Sequence, residues 1–203
     1  MLNIRFHSVR KAMSWFSPGK KSILILASAA ISFMASAQSK YFTRNGRVFF
    51  NASSPLEKIE AINDKSTSVV DFSTGQVEFG VLLKAFLFER ALMQEHFNEN
   101  YVESDKFPKA TFKGSIADAG SIDRNKDGSY PVKVSGKLSL HGVTKDVETT
   151  ATFVVKNGAI SASADFRIEA ADYNIEIPGL VKDKVAKTIS INIQSNYEPL
   201  KSS

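Results

Sequence analysis

The stretch YPVKVSGKLSLHGVTKDVETTATFVV, Tyr130 to Val155, is two alternating runs that meet at a corner. In the first arm Val132, Val134, Leu138 and Leu140 share one face, and Lys133, Ser135, Lys137 and Ser139 share the other. In the second arm Val147, Ala151, Phe153 and Val155 oppose Glu148, Thr150 and Thr152. A period of two belongs to a β-strand, whose successive side chains leave opposite faces. The stretch is therefore expected to form a long antiparallel hairpin with one apolar face, His141 and Gly142 making its turn.

The same alternation continues outward. In AISASADFRIE, Ile160, Ala162, Ala164, Phe166 and Ile168 oppose Ser161, Ser163, Asp165 and Arg167; in TISINIQSNY, Ile189, Ile191, Ile193 and Tyr197 oppose Ser190, Asn192, Gln194 and Asn196. Lys156 to Gly158 joins two of these runs with Asn-Gly, a pair that tolerates the positive φ angles of tight hairpins. The first half is less regular. Strands are expected near Arg47 to Ser53, Glu57 to Asn63, Thr67 to Phe72, Gln76 to Phe88 and Lys109 to Ala117, with a further short strand at Tyr41 to Arg44 before Asn45-Gly46. ERALMQEHFNENY, from Glu89, changes to helical register and predicts one short helix, docked by Leu92 and Phe97. ADYNIEIPGLVKDK is a long irregular connection in which Pro178-Gly179 stops any strand and which suits a lid or rim. Long strands with one apolar and one polar face, linked by hairpins, make the chain all-β: an antiparallel sheet closed into a barrel or folded as a sandwich. Strand length favours the barrel.

The first 37 residues read differently. Arg5, Arg10, Lys11, Lys20 and Lys21 stand without an acidic residue, followed by the apolar run SILILASAAISFM and the small-residue sequence ASA at Ala35 to Ala37. That is the pattern of a secretory signal peptide, with cleavage expected between Ala37 and Gln38. An uncleaved anchor is the competing reading, but the apolar run is shorter than the roughly 20 residues of an ordinary membrane span. The n-region is long, so Met13 is an alternative start. Removing the five leader cations from 26 leaves 21 Lys and Arg against 21 Asp and Glu. The mature chain, residues 38–203, is thus near neutral and lacks the basic surplus that nucleic acid requires. It contains no cysteine, which excludes a lipoprotein anchor and any Cys-based zinc or redox site. The expected location is the periplasm or the exterior of a bacterium, with the protein monomeric or homodimeric.

The sites of recognised chemistry are weak. DRNKDG, Asp123 to Gly128, matches the first half of a calcium loop, but the position that should carry a bidentate Glu is Val134. His96 and Glu99 are spaced for one helix face, yet metal would need more ligands. No G-x-S-x-G elbow and no glycine-rich phosphate loop occurs. No metal and no catalytic residue is assigned. The apolar strand faces remain. Phe79, Val81, Leu83, Phe112, Val134, Leu138, Leu140, Phe153, Phe166, Ile168 and Ile191 would line the interior of a closed barrel. An eight-stranded barrel either fills with side chains or keeps room for one ligand, and composition leaves both open.

SDKFPKATFKGSI (Ser104 to Ile116), followed by the strand that ends in LSLHGVTK, closely resembles the YceI-like lipid/polyisoprenoid-binding family. The resemblance runs from about Val48 to Tyr197. It implies a lipocalin-like antiparallel barrel of about eight strands, usually exported, that encloses a long-chain isoprenoid or similar amphipathic lipid, with no catalytic residues and no fixed cofactor. The N-terminal third departs from the family pattern at NASSPLEKIEAIND and at FERALMQEHFNENY, which are expected to shape the barrel mouth. Strands of about ten residues, tilted about 40°, give a barrel roughly 25 Å tall. Such a lumen holds a chain of about 20 carbons, a gross gain on the order of 16 kcal/mol at about 0.8 kcal/mol per CH₂ before the costs of ordering. The expected function is lipid binding for transport, storage or sequestration. The alternatives are a filled barrel with a structural or partner-binding role in the envelope, and an enzyme using His141 or His96 as acid or base.

Overall fold

A computed structural model describes residues 39–200; the expected leader and its cleavage point lie outside that range. The alternating runs become nine strands: β1 (Lys40–Ser53), β2 (Glu60–Asp71), β3 (Gln76–Leu82), β4 (Leu87–Phe88), β5 (Lys109–Ile116), β6 (Gly128–Leu140), β7 (Val143–Lys156), β8 (Ala159–Glu169) and β9 (Val185–Pro199). Strand β4 is a two-residue attachment to β2. The other eight follow the order β1-β9-β8-β7-β6-β5-β3-β2, and β2 pairs back onto β1, closing an antiparallel barrel.

The β6–β7 hairpin keeps unbroken register from Leu140↔Val143 to Gly128↔Val155. Its turn is His141-Gly142 alone, with φ of 50° and 76°. Two successive positive φ angles give the turn twist that matches paired strands. Asn157-Gly158 repeats the device between β7 and β8, with φ of 51° and 78°.

Three expected boundaries move, each for a physical reason. Asn45-Gly46 is not a turn: β1 runs through it, and the pairing with β2 slips around Gly46. The two strands expected in 57–72 are the single strand β2, in which Asp64 and Lys65 both face outward and shift the inward phase from Ala61 and Asn63 to Ser66, Ser68 and Val70. Asn63 secures that irregularity. Its Nδ2 donates to the Leu82 carbonyl at 2.9 Å, and its Oδ1 accepts from the Lys65 N–H at 2.8 Å. The strand expected to reach Phe88 stops at Leu82. Leu83 and Phe86 are both buried, three residues apart, and a tight turn at Leu83–Ala85 is what lets both point inward.

Helix α1 (Ala91–His96) continues as a wider turn through Phe97–Tyr101. Phe97 anchors it, stacking on Phe50 at 5.4 Å and meeting Phe86 and Phe88 at 5.7 and 5.1 Å between ring centres. Leu92 does not help: it is 61% exposed.

The core is divided lengthwise. At the end holding the β3–β5 and β8–β9 connections, Phe50, Leu83, Phe86, Val102, Leu140 and Tyr173 cluster with α1. At the opposite end Val70, Phe72, Ile116, Ile122, Val132, Phe153, Val155 and Ile160 pack together, and the ring pairs Phe72–Phe153 and Tyr41–Phe72 close that end.

Candidate functional site: an apolar lumen open at one end

Between the two clusters the barrel holds a cavity of about 540 Å³. Its size falls within the range of roughly 300–1,000 Å³ for sites that enclose small ligands. All eleven residues expected to line the interior do so: Phe79 and Val81 on β3, Leu83 just after it, Phe112 on β5, Val134, Leu138 and Leu140 on β6, Phe153 on β7, Phe166 and Ile168 on β8, and Ile191 on β9. Several inward apolar side chains, Phe79, Phe112, Phe166, Ile189, Ile191 and Ile193 among them, are only partly buried although they point away from bulk water. Their remaining exposure is to the lumen, which a filled barrel would not leave. The cavity counts against the filled-barrel alternative.

The polar lining residues are distributed by position. Glu57, Arg90, His96 and Lys184 surround the open end together with Leu92, Ile177 and Val181. This mouth lies between the β1–β2 connection, α1 and the long loop before β9, and an Arg90–Glu57 ion pair spans two of those segments. The loop around Pro178-Gly179 therefore forms rim. Ser68, Ser195 and Tyr197 reach the lumen near its closed end. Ser68 Oγ donates to the Glu78 carbonyl at 3.0 Å and lies 2.9 Å from the Tyr197 hydroxyl. Enclosure of the Tyr197 phenol, away from bulk water, raises its pKa above the ordinary tyrosine value, against a smaller opposing effect of the Ser68 and Ser195 hydroxyls. Tyr101, which lines the mouth side, is shifted up by burial as well.

The residues missed from sequence are informative. Phe50, Phe86 and Phe97 line the cavity; Phe86 and Phe97 sit on irregular segments where alternation gives no guide, whereas Phe50 on β1 shares the inward phase of Val48 and Ala52. Ser195 shares its odd position with Ile189, Ile191, Ile193 and Tyr197, so its inward direction was signalled by parity.

His141 does not line the lumen. Its Nδ1–H donates to the Tyr173 carbonyl at 3.0 Å, its Nε2 lies 2.9 Å from Glu103 Oε2, and Phe107 packs edge-on at 4.8 Å between ring centres. The imidazole ties the β6–β7 corner to the segment after α1 and to the turn Ala170–Tyr173. An acid–base role needed both histidines to face a pocket; only His96 does. At the tip of the β6 approach, Asp123 Oδ1 accepts from the Asn125 N–H at 3.0 Å and Asp127 Oδ1 from the Asn157 N–H at 2.9 Å, so these carboxylates order turns. Among the described residues no helix is long and apolar enough to cross a membrane.

The chain is similar in fold to a polyisoprenoid-binding domain from Saccharophagus degradans implicated in plant cell wall breakdown, with a TM-score of 0.71, 17% identity, and coverage of 80% of this chain and 99% of that one. It is similar also to BcnA of Burkholderia cenocepacia, with a TM-score of 0.63, 17% identity, and coverage of 75% and 96%. No curated protein sequence matches it. The model of the YceI-like domain matches residues 35–197, and the chain belongs to the YceI-like family.

Proposed function

We propose that this protein is an exported lipid carrier that holds a long-chain isoprenoid or similar amphipathic lipid in its lumen, for transport, storage or sequestration. The observation that supports this reading best is the cavity itself: about 540 Å³, walled almost entirely by apolar side chains and open at one end. The eleven lumen residues named from sequence would be its ligand contacts. An apolar chain placed there leaves water at a gain of about 0.8 kcal/mol per CH₂. The role assigns no catalytic step and no cofactor, and it suits a monomer or a homodimer. Export rests on the leader sequence, with residues 38–203 as the mature domain in the periplasm or outside the cell.

Extraction of protein purified without detergent, followed by mass spectrometry, tests the reading. A reproducible long-chain lipid near one per chain supports it; repeated absence of any such lipid contradicts it. N-terminal sequencing of the exported protein tests the processing, with Gln38 as the expected first residue.

A further inference from the structure

The two ends of the barrel differ in what their connections expose. At the closed end the turns 73–75, 117–127 and 157–158 present no exposed large apolar side chain. At the mouth, three segments each carry a leucine turned to water: Leu56 in the β1–β2 connection, 69% exposed, Leu92 on α1, and Leu180 beside Pro178-Gly179, 98% exposed. They stand on one rim. Leu56 adjoins Glu57, whose carboxylate pairs with Arg90, two residues before Leu92. Leu180 adjoins Val181, which lines the opening as Leu92 does, and its loop leads into β9, where Val185 pairs with Ser53 of β1. A single exposed leucine is ordinary, but apolar side chains gathered at one place mark a surface that is covered in use.

The lumen indicates what covers this one. Its far end is shut by the Phe72–Phe153 and Tyr41–Phe72 ring pairs, so an apolar chain enters and leaves across this rim. Every CH₂ that crosses water on the way adds to the cost. Rim leucines that extend the apolar wall outward spare the chain that exposure when they are seated in the medium that already dissolves it, a bilayer. A protein partner fits less well. Interfaces between proteins have an apolar centre with few charges, whereas here the centre is an opening and the leucines stand apart around it among charged groups. Such a ring is buried all at once by a medium that conforms to it. The charges give no positive surplus: Arg90 pairs with Glu57, Lys58 with Glu60 at 3.0 Å, and Lys182 and Lys184 flank Asp183, with Glu89, Glu95 and Glu176 on the same segments. Apolar contact, not attraction to anionic lipid, is therefore the driving force.

We propose that the mouth is a bilayer-docking surface: Leu56, Leu92 and Leu180 dip into the acyl boundary of a membrane and set the lumen opening against it, so that lipid passes between bilayer and barrel without entering water. The proposal rests on the lumen being a lipid site and adds the place where that lipid is exchanged.

Flotation with phosphatidylcholine vesicles tests it on wild type, Leu56→Ser and Leu180→Ser; both positions are exposed and neither lines the cavity, and thermal unfolding confirms that the variants are folded. Wild type should float, each substitution should lower its partitioning by about tenfold, and salt up to about 0.5 M should change little. Loading of a C20 isoprenoid alcohol from cyclodextrin, read by native mass spectrometry, should be equal in all three. Wild type that loads the alcohol but does not float, or that floats no better than both variants, overturns the docking surface and leaves the lumen reading intact. A dimer that either substitution disperses, without flotation, overturns it in favour of a second copy of the chain. Wild type that floats but loads nothing overturns the lumen reading, and with it the mouth as a lipid entrance.

Discussion

His141 and Gly142 are held by different forces within one turn. Gly142 takes φ of 76°, and a Cβ there would lie 2.7 Å from Phe107 Cε1. Gly142→Ala therefore meets both backbone strain and a ring that is itself packed on His141, and is expected to cost about 1–3 kcal/mol in urea unfolding. His141 holds its positive φ through the contacts of its ring. His141→Ala removes all three of those contacts, to Tyr173, Glu103 and Phe107, and leaves the Glu103 carboxylate with Lys106, 3.7 Å away, for an expected loss of about 1–3 kcal/mol. His141→Asn keeps a residue suited to positive φ and should lose less. Lipid affinity should survive both His141 changes, since the ring is outside the lumen. Tyr197 makes a different prediction. Its folded pKa is raised, so above about pH 10 the unfolded chain releases a proton that the folded chain retains, and stability falls as pH rises. Tyr101 and Tyr173 are shifted in the same direction by burial. Tyr197→Phe should thus reduce, without abolishing, the loss of stability seen by denaturation between neutral pH and pH 11.

At the scale of elements, α1 has six residues and no side-chain N-cap, so its helical propensity is too small to hold it alone. Phe97 and its three aromatic neighbours fix it over the mouth. Phe97→Ala is expected to cost about 3 kcal/mol and to speed hydrogen exchange across 91–101 before the β6–β7 hairpin is affected. The contrast explains what the sequence could reveal. β6, β7, β8 and β9 alternate without interruption, and their facing side chains were legible residue by residue. β1 and β2 slip phase around Gly46 and Ser66, where a Cβ on Gly46 would come within 2.4 Å of Ser66 Oγ, and no local pattern announces a slip that depends on the strand opposite. The lining residues followed from parity. Ser195 obeyed that parity too, but a serine reads as outward until its neighbours across the barrel are known.

For the molecule as a whole, whether the barrel is filled or open depends on side-chain volumes summed across walls that are distant in sequence. Alternation says which residues face inward and nothing about whether they meet. They do not meet around Ala164, which lies beside Ala151 and Ile193 on the neighbouring strands and lines the cavity. A larger side chain in a packed interior costs about 1–3 kcal/mol, but in an open lumen it occupies space that a ligand would take. Ala164→Phe should therefore keep wild-type stability and lose ligand. Native mass spectrometry of the detergent-free protein after incubation with a C20 isoprenoid alcohol reads this directly, wild type beside Ala164→Phe. The expected result is a one-to-one lipid adduct on wild type and bare mass for the variant; bare mass for both, or equal adducts on both, would contradict a lipid held in the lumen.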